Sequence, residues 1–140
     1  MIAEYASDLV TKLNTVTELG GRVAVTMGGS EADPTLSSVE APAAWVVFRS
    51  QQNTAQPNRK FQDTRIFFSV ILKLKYGAGE TDFVDTQLNL IEKASQAVRG
   101  KGVPDQGLQL WGYDGCTLVD FAPDAVFYDL TFAASAVYSE

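Results

Sequence analysis

The chain predicts an α+β fold: a mostly antiparallel or mixed sheet of four to six strands, two helices on one face, and a long projecting β-hairpin. Three features carry that expectation. Thr64 to Tyr76 alternates without a break, with Ile66, Phe68, Val70, Leu72, Leu74 and Tyr76 at even positions and Arg65, Phe67, Ser69, Ile71, Lys73 and Lys75 at odd ones. A strand there has one wholly apolar face and one mixed, basic face. Val126 to Tyr138 alternates in the same way, while two other segments repeat apolar residues every three or four positions, the period of a half-buried helix. Thirteen residues of strand span roughly 43 Å, more than twice the usual length, so the first of these strands is expected to reach beyond the globular body.

Ile2, Tyr5, Leu9, Leu13 and Val16, widened by Ala6 and Val10, predict a helix over about 2–17, stopped by Gly20-Gly21. Arg22 to Met27 reads as a short strand. Gly28 to Pro42 has turn residues and no period, so a surface loop is expected. Its Gly28-Gly29-Ser30 lacks the Gly-Lys-Ser/Thr that a phosphate loop requires. Ala43 to Gln51 is a strand, joined through the polar tip Gln52–Asn58 to the long strand and paired with it as a hairpin. A second helix is expected over 82–99, with Asp82 and Asp85 in its first turn, Val84, Leu88, Ile91, Ala94 and Val98 as its buried stripe flanked by Phe83 and Leu90, and Gly100 as its stop. Leu108, Leu110 and Thr117–Phe121 read as strand, interrupted by a turn at Asp114-Gly115 and ended by Ala122-Pro123-Asp124. The closing strand Val126–Tyr138 is expected beside Thr64–Tyr76, since both offer apolar even faces to the same two helices.

At 140 residues, 46% hydrophobic and 20% charged, residues 1–140 read as a single ordinary globular domain with a real core. No apolar run reaches the roughly 18 residues of a membrane span, and the N-terminus has no basic start or apolar signal core. The expectation is a chain made and kept in a cytoplasm. Histidine is absent, which removes His-based acid–base catalysis, Ser-His and Cys-His nucleophiles and His-ligated metals. Cys116 is the single cysteine and has no disulfide partner. Asp114, Asp120, Asp124 and Asp129 form the densest carboxylate group and could in principle serve as acid and base or bind a divalent cation, although turn capping explains Asp114 and Asp124 more simply. Trp111-Gly112-Tyr113 reads either as an aromatic ligand platform or as a packed sheet rim with a glycine bulge. No catalytic residue, cofactor or metal site is expected, and the chain is not read as an enzyme.

Charge is uneven. Between Arg49 and Tyr76 stand six basic residues and one acid, Asp63, a balance of +5 that leaves −11 for the remainder of a chain whose net charge is −6. Such polarity suggests head-to-tail self-association or docking on an acidic partner. Nucleic acid fits less well, since the acidic remainder repels phosphate. The alternative is a solvated hairpin whose charges block edge aggregation. Phe67 and Ile71 lie on the same odd face, as apolar residues do where a second surface covers them, whether that surface is a partner or the loop Gly28–Pro42.

In size, acidic balance and element order the chain resembles the tail terminator, or tail-completion, proteins of long-tailed bacteriophages, including the lambda-like minor tail protein and the Mu-like family. The resemblance spans nearly the whole chain. It rests on the helix opening Met1-Ile2-Ala3-Glu4-Tyr5, the strand Ala44-Trp45-Val46-Val47-Phe48, the long strand Arg65–Tyr76, the helix Asp82–Arg99 and the closing strand Val126–Tyr138. It implies a virion structural protein, assembled in the host cytoplasm and located in the tail or neck. Such a subunit forms a hexameric ring on the last ring of the tail tube, ends tube polymerisation and presents a surface to the head-side connector, with a sheath contact if the tail is contractile. DNA would pass through the lumen without specific binding, and no membrane is involved. The expected protein contacts are Arg49, Arg59, Lys60, Arg65, Phe67, Ile71, Lys73 and Lys75. Another neck or head-completion component of the same particle, or a small α+β ligand-binding module with a closed polar cavity, are the alternatives.

Overall fold

The structure, a computed structural model, describes residues 2–26, 39–54, 61–76, 83–104 and 109–139, with the backbone alone at 54, 61–63 and 136–139. The element order is α1 (Ile2–Leu13), a 3-10 turn (Thr17–Leu19), β1 (Val23–Val25), β2 (Ala43–Thr54), β3 (Phe61–Lys75), a π-helical turn (Phe83–Leu88), α2 (Asn89–Val98), β4 (Gly112–Ala122) and β5 (Ala125–Ser139). The five strands form one mixed sheet in the order β1-β2-β3-β5-β4. Among the described strands only β1 is parallel to its neighbour, with Val23 opposite Ala44. The expected α+β class, the hairpin of the second and third strands, and the neighbouring of β3 and β5 are all present.

α1 is shorter than its apolar period predicts. Its last helical hydrogen bond runs from the Asn14 N–H to Val10 O, after which Thr15 and Val16 bond back only three residues. The Thr15 hydroxyl also donates to Lys12 O at 2.6 Å, a local bond that competes with the helix. Val16 is extended and still buried, because the 3-10 turn behind it folds Leu19 into the same core. Gly20 and Gly21 then take φ of 57° and 76°, and a Cβ at Gly20 would meet the Arg22 guanidinium at 2.7 Å.

The second helix keeps most of its expected stripe but opens in a different winding. Its start at Asp82 lies outside the described residues. Phe83–Leu88 is wound as a π turn, which fits an extra residue into the turn and rotates the helix beyond it. Ala94 and Val98 of the expected stripe are buried, with Leu90 beside them and Ser95, while Leu88 and Ile91 are half-buried against the core and Val84 is exposed.

β3 pairs with β5 over its whole length without a register shift, from Phe61 opposite Ser139 to Lys75 opposite Ala125. Fifteen residues reach roughly 50 Å. Beyond Ala133, where β4 begins its pairing at Gly112, the sheet narrows to β2, β3 and β5. The long hairpin is thus flanked by β5 to its end, and what extends is a three-stranded ribbon. The tip 55–60 lies outside the described residues.

Asp114-Gly115, expected as a turn, lies inside β4. Tyr113 faces Phe132 and Gly115 faces Thr131, so Asp114 is an inserted bulge residue, with Gly115 at φ 128°. A second shift between Leu118 and Asp120 inserts Val119. Pro123 and Asp124 form the β4–β5 turn that Ala122-Pro123-Asp124 predicts.

Both helices cover one sheet face. Tyr5, Leu9 and Leu13 from α1 and Leu90, Ala94 and Val98 from α2 pack on Ala44, Val46, Ile66, Phe68, Val70, Leu72, Leu130 and Phe132. Trp111 joins this core edge-on between Tyr5 and Phe68, and its Nε1 donates to Asp8 Oδ2 at 2.9 Å. The opposite face holds a second, smaller buried cluster of Ala43, Trp45, Val47, Ile71, Ala125 and Phe127, with Val39 packed against it.

Candidate functional site

The basic odd face of β3 divides into two parts. At the wide end of the sheet, Ser69, Ile71 and Lys73 are buried. Ile71 is the centre of the second cluster, under Val39 and against Trp45 and Phe127. Lys73 donates from Nζ to Val39 O at 2.7 Å, with its ammonium 5.8 Å from the centre of the Phe127 ring. The sequence marks both as contact residues at the surface. The structure instead places them inside the chain, and the covering residue described, Val39, belongs to the segment Gly28–Pro42 that the sequence offers as the other possible cover. Alternation alone marks the face as apolar and basic without telling what lies over it.

Towards the hairpin end the same face is open. Arg65 is exposed and its guanidinium carbon lies 5.2 Å from the centre of the half-buried Phe67 ring. This stacking spreads the cation over an apolar platform, an arrangement suited to a protein contact. Arg49 is the inserted residue of the β2 bulge, between the pairs Phe48–Phe68 and Ser50–Phe67. Its Nε donates to Ser69 Oγ at 2.8 Å and its Nη2 lies 3.5 Å from Asp129 Oδ2. It braces β2, β3 and β5 across the odd face, while its side chain stays 44% exposed. Lys75 is exposed at the far end of β3, where its backbone N–H is bonded to Gln87 Oε1 at 2.9 Å. Arg59 and Lys60 lie outside the described residues. The open odd face thus brings together Arg49, Arg65 and Phe67, and leaves Lys75 apart.

The carboxylates considered for chemistry do not assemble. No group of three or more metal-ligating side chains occurs among the described residues. Asp114 is in a bulge, Asp124 in a turn, and Asp129 faces Arg49. Trp111 is buried in the core and offers no ligand platform. Among the described residues, one groove of about 400 Å³ lies between α1 and α2 with Lys12, Lys93 and Lys101 on its wall, and another of about 440 Å³ lies between α2 and β4. In the first, Lys12 is already paired with Asp8 and Lys93 with Glu18. The hydrogen bond from Lys93 and that from Thr17 hold the Glu18 carboxyl below its ordinary value. No described helix is long and apolar enough to cross a membrane.

A second surface emerges only in the folded chain. β4 is an edge strand and carries Leu118, Val119 and Phe121, 51%, 45% and 70% exposed. Cys116, also exposed, lies on the same strand, and its thiol is pushed up by partial burial and then by the Asp129 charge. The available signal is the apolar content of Leu118–Phe121, which as an isolated strand cannot be told from a core strand.

No protein-family model matches the chain, and no match is found among curated proteins. Among solved structures, the fold is similar to that of a chain in the virion of a native gene transfer agent particle, with a TM-score of 0.59, 12% identity, and 97% of each chain covered.

Proposed function

We propose that the protein is a structural subunit of a phage-like virion, and within it the subunit that caps the tail tube as a hexameric ring. One observation carries this: a fold shared over 97% of both chains with a protein of a gene transfer agent virion. The element order that resembles tail terminators, and an open basic face at the end of a long ribbon, support the finer reading. In this role the ring ends tube polymerisation, meets the tube protein on one side and the head-side connector on the other, contacts a sheath if the tail has one, and lets DNA pass without specific binding. The protein does no covalent chemistry and needs no cofactor. Of the expected contact residues, Arg49, Arg65, Phe67 and Lys75 remain at or near the surface.

The test is removal of the protein from a producing cell, followed by electron microscopy and mass spectrometry of the particles. The expected result is overlong tubes without heads, restored by the wild-type chain and not by a folded Arg65→Glu chain. Tails of normal length that fail to join heads would move the protein to the head side of the joint. Complete infectious or transducing particles lacking the protein would overturn the reading.

A further inference from the structure

The three-stranded end of the sheet has two open edges. Beyond Val46, where β1 ends its pairing, the outer side of β2 carries no strand among the described residues, and beyond Ala133 the same holds for β5. The two openings lie at one level. Gln51, Gln52, Asn53 and Thr54 stand across β3 from Ala134, Ser135, Ala136 and Val137, row by row. Gln51, Gln52, Asn53 and Ser135 are exposed. Along such an edge every second residue points its backbone N–H and C=O outward, a template for another strand. Natural sheets blunt their edges with charge, proline, bulges or brevity. The other two edge strands of this sheet are blunted: β1 is three residues long, and β4 is bulged at Asp114 and Val119. The ribbon is not. Ser50–Thr54 and Leu130–Ser139 contain no charge, proline or glycine, and beyond the Arg49 bulge both pair with β3 without a shift.

We propose that these two edges pair with each other between copies of the chain, β5 of one copy beside β2 of the next. The strand directions and levels select this occupant. β2 and β5 both run antiparallel to β3, and so parallel to each other. Copies related by rotation about an axis along the ribbon therefore bring β5 and β2 side by side, parallel and at one level, with no charge on either edge to repel the other. A strand from a different protein would cover one edge and leave the other bare. A ring of copies covers both in every subunit, because closure alone removes edges altogether. The contact is heterologous: each added copy covers one edge and leaves one of the other kind free until the ring closes. Arg65 and Phe67, on the odd face of the middle strand, stay uncovered by such lateral pairing. This inference rests on the ring-subunit reading and names the backbone edges that would join the ring.

The experiment is disulfide trapping in the full-length chain, with Cys116→Ser as background because Cys116 is the single cysteine. Gln52 and Ser135 are both exposed and both lie opposite Arg65, on one face. Gln52→Cys and Ser135→Cys should therefore leave circular dichroism and melting unchanged. Within one copy β3 separates the two positions by about 10 Å, too far for a disulfide. An equal mixture of the two single variants under mild oxidation should give the mixed disulfide in about tenfold excess over either homodimer, since docking raises the local thiol concentration for that pair alone. The chain carrying both cysteines should form a covalent ladder that ends at one closed species. A statistical mixture, or an excess of either homodimer, would overturn the pairing, and a ladder that grows without end would overturn its closure. Hydrogen exchange of the wild-type chain at rising concentration tests the backbone itself. Amides within 50–54 and 134–139 should slow by about tenfold or more as copies join, with those of β4 unchanged. Exchange in the ribbon that stays fast at every concentration would overturn the strand pairing. Particle assembly separates this from the functional reading. Particles devoid of the protein would overturn the functional reading alone, and doubly substituted chains that reach the tail end and stay uncrosslinked there would overturn the pairing alone.

Discussion

Lys73 and Arg65 stand on the same face of the same strand and should behave in opposite ways. Lys73→Met keeps most of the aliphatic stem and removes the 2.7 Å bond to Val39 O and the cation 5.8 Å from the Phe127 ring centre. A hydrogen bond from a charged donor is worth about 1.5–3 kcal/mol and a desolvated cation–π contact about 0.5–2 kcal/mol. The two share one ammonium and do not add fully, so the expected loss is about 2–4 kcal/mol. At about 3 °C per kcal/mol for a domain of this size, that lowers Tm by roughly 6–12 °C. Arg65→Glu gives up only an exposed contact with Phe67, worth about 0.5–1 kcal/mol, and shifts Tm by under roughly 3 °C. Urea unfolding followed by circular dichroism and tryptophan fluorescence measures both, the latter reporting on the cluster through Trp45. Assembly should then be lost in Arg65→Glu with its fold intact, and impaired in Lys73→Met only as far as the fold is. A Lys73→Met chain within about 0.5 kcal/mol of wild type, or an Arg65→Glu chain as unstable as Lys73→Met, would refute the division of this face into a buried and an open part.

Trp111→Phe removes the bond to Asp8 and leaves a void between Tyr5 and Phe68, so chemical denaturation should register a loss of about 2–4 kcal/mol, and a loss under about 1 kcal/mol would contradict the packing described. Cys116, though exposed, has a thiol raised above its ordinary value of 9.0 by partial burial, so alkylation at neutral pH should be slow and should accelerate only in distinctly alkaline buffer. Rapid labelling at neutral pH would refute that environment. Glu18 has its carboxyl lowered from 4.5, first by the bond from Lys93, so the ion pair stabilises the fold above that value and its contribution disappears as pH falls through the lower folded-state value. In an acid titration of Tm, Glu18→Gln should lie below wild type at neutral pH and converge with it in acid; parallel curves would show that the pair has no linked titration.

The elements legible in the sequence are those whose period is unbroken and whose environment is uniform. β3 and β5 alternate throughout and pair in full register, and the hairpin of β2 with β3 comes from their adjacency. The features that escape a sequence reading depend on groups far away along the chain. Asp114-Gly115 suits a turn and a bulge equally, and the choice is made by β5, whose continuous even face needs a partner along β4. The π turn at Phe83–Leu88 leaves Val84 exposed while Leu88, Ile91, Ala94 and Val98 keep to the core side, a change that no local preference of Val84 announces. Within the candidate site, Arg65 and Phe67 are readable as an apolar and basic pair, whereas Ile71 and Lys73 share that pattern and differ only in lying where Val39 and Phe127 close over the face.

Arg49 shows why the open part of this face can act as a contact without loosening the sheet. Its place in the β2 bulge aims the side chain across the strands, so that one guanidinium joins Ser69 of β3 and Asp129 of β5. Asp129 depends on this arrangement: its Oδ1 is enclosed without a hydrogen-bond partner among the described residues, and its Oδ2 faces the arginine. Removing Arg49 would leave that carboxylate uncompensated, so its first duty is to the fold. Arg65, held only by the Phe67 ring among the described residues, has no such obligation, and its five donors remain available to a carboxylate on another molecule. The bulge therefore fixes the sheet beneath the proposed contact, while Arg65 stands beyond it on a ribbon three strands wide. A surface so prepared loses little conformational freedom on docking.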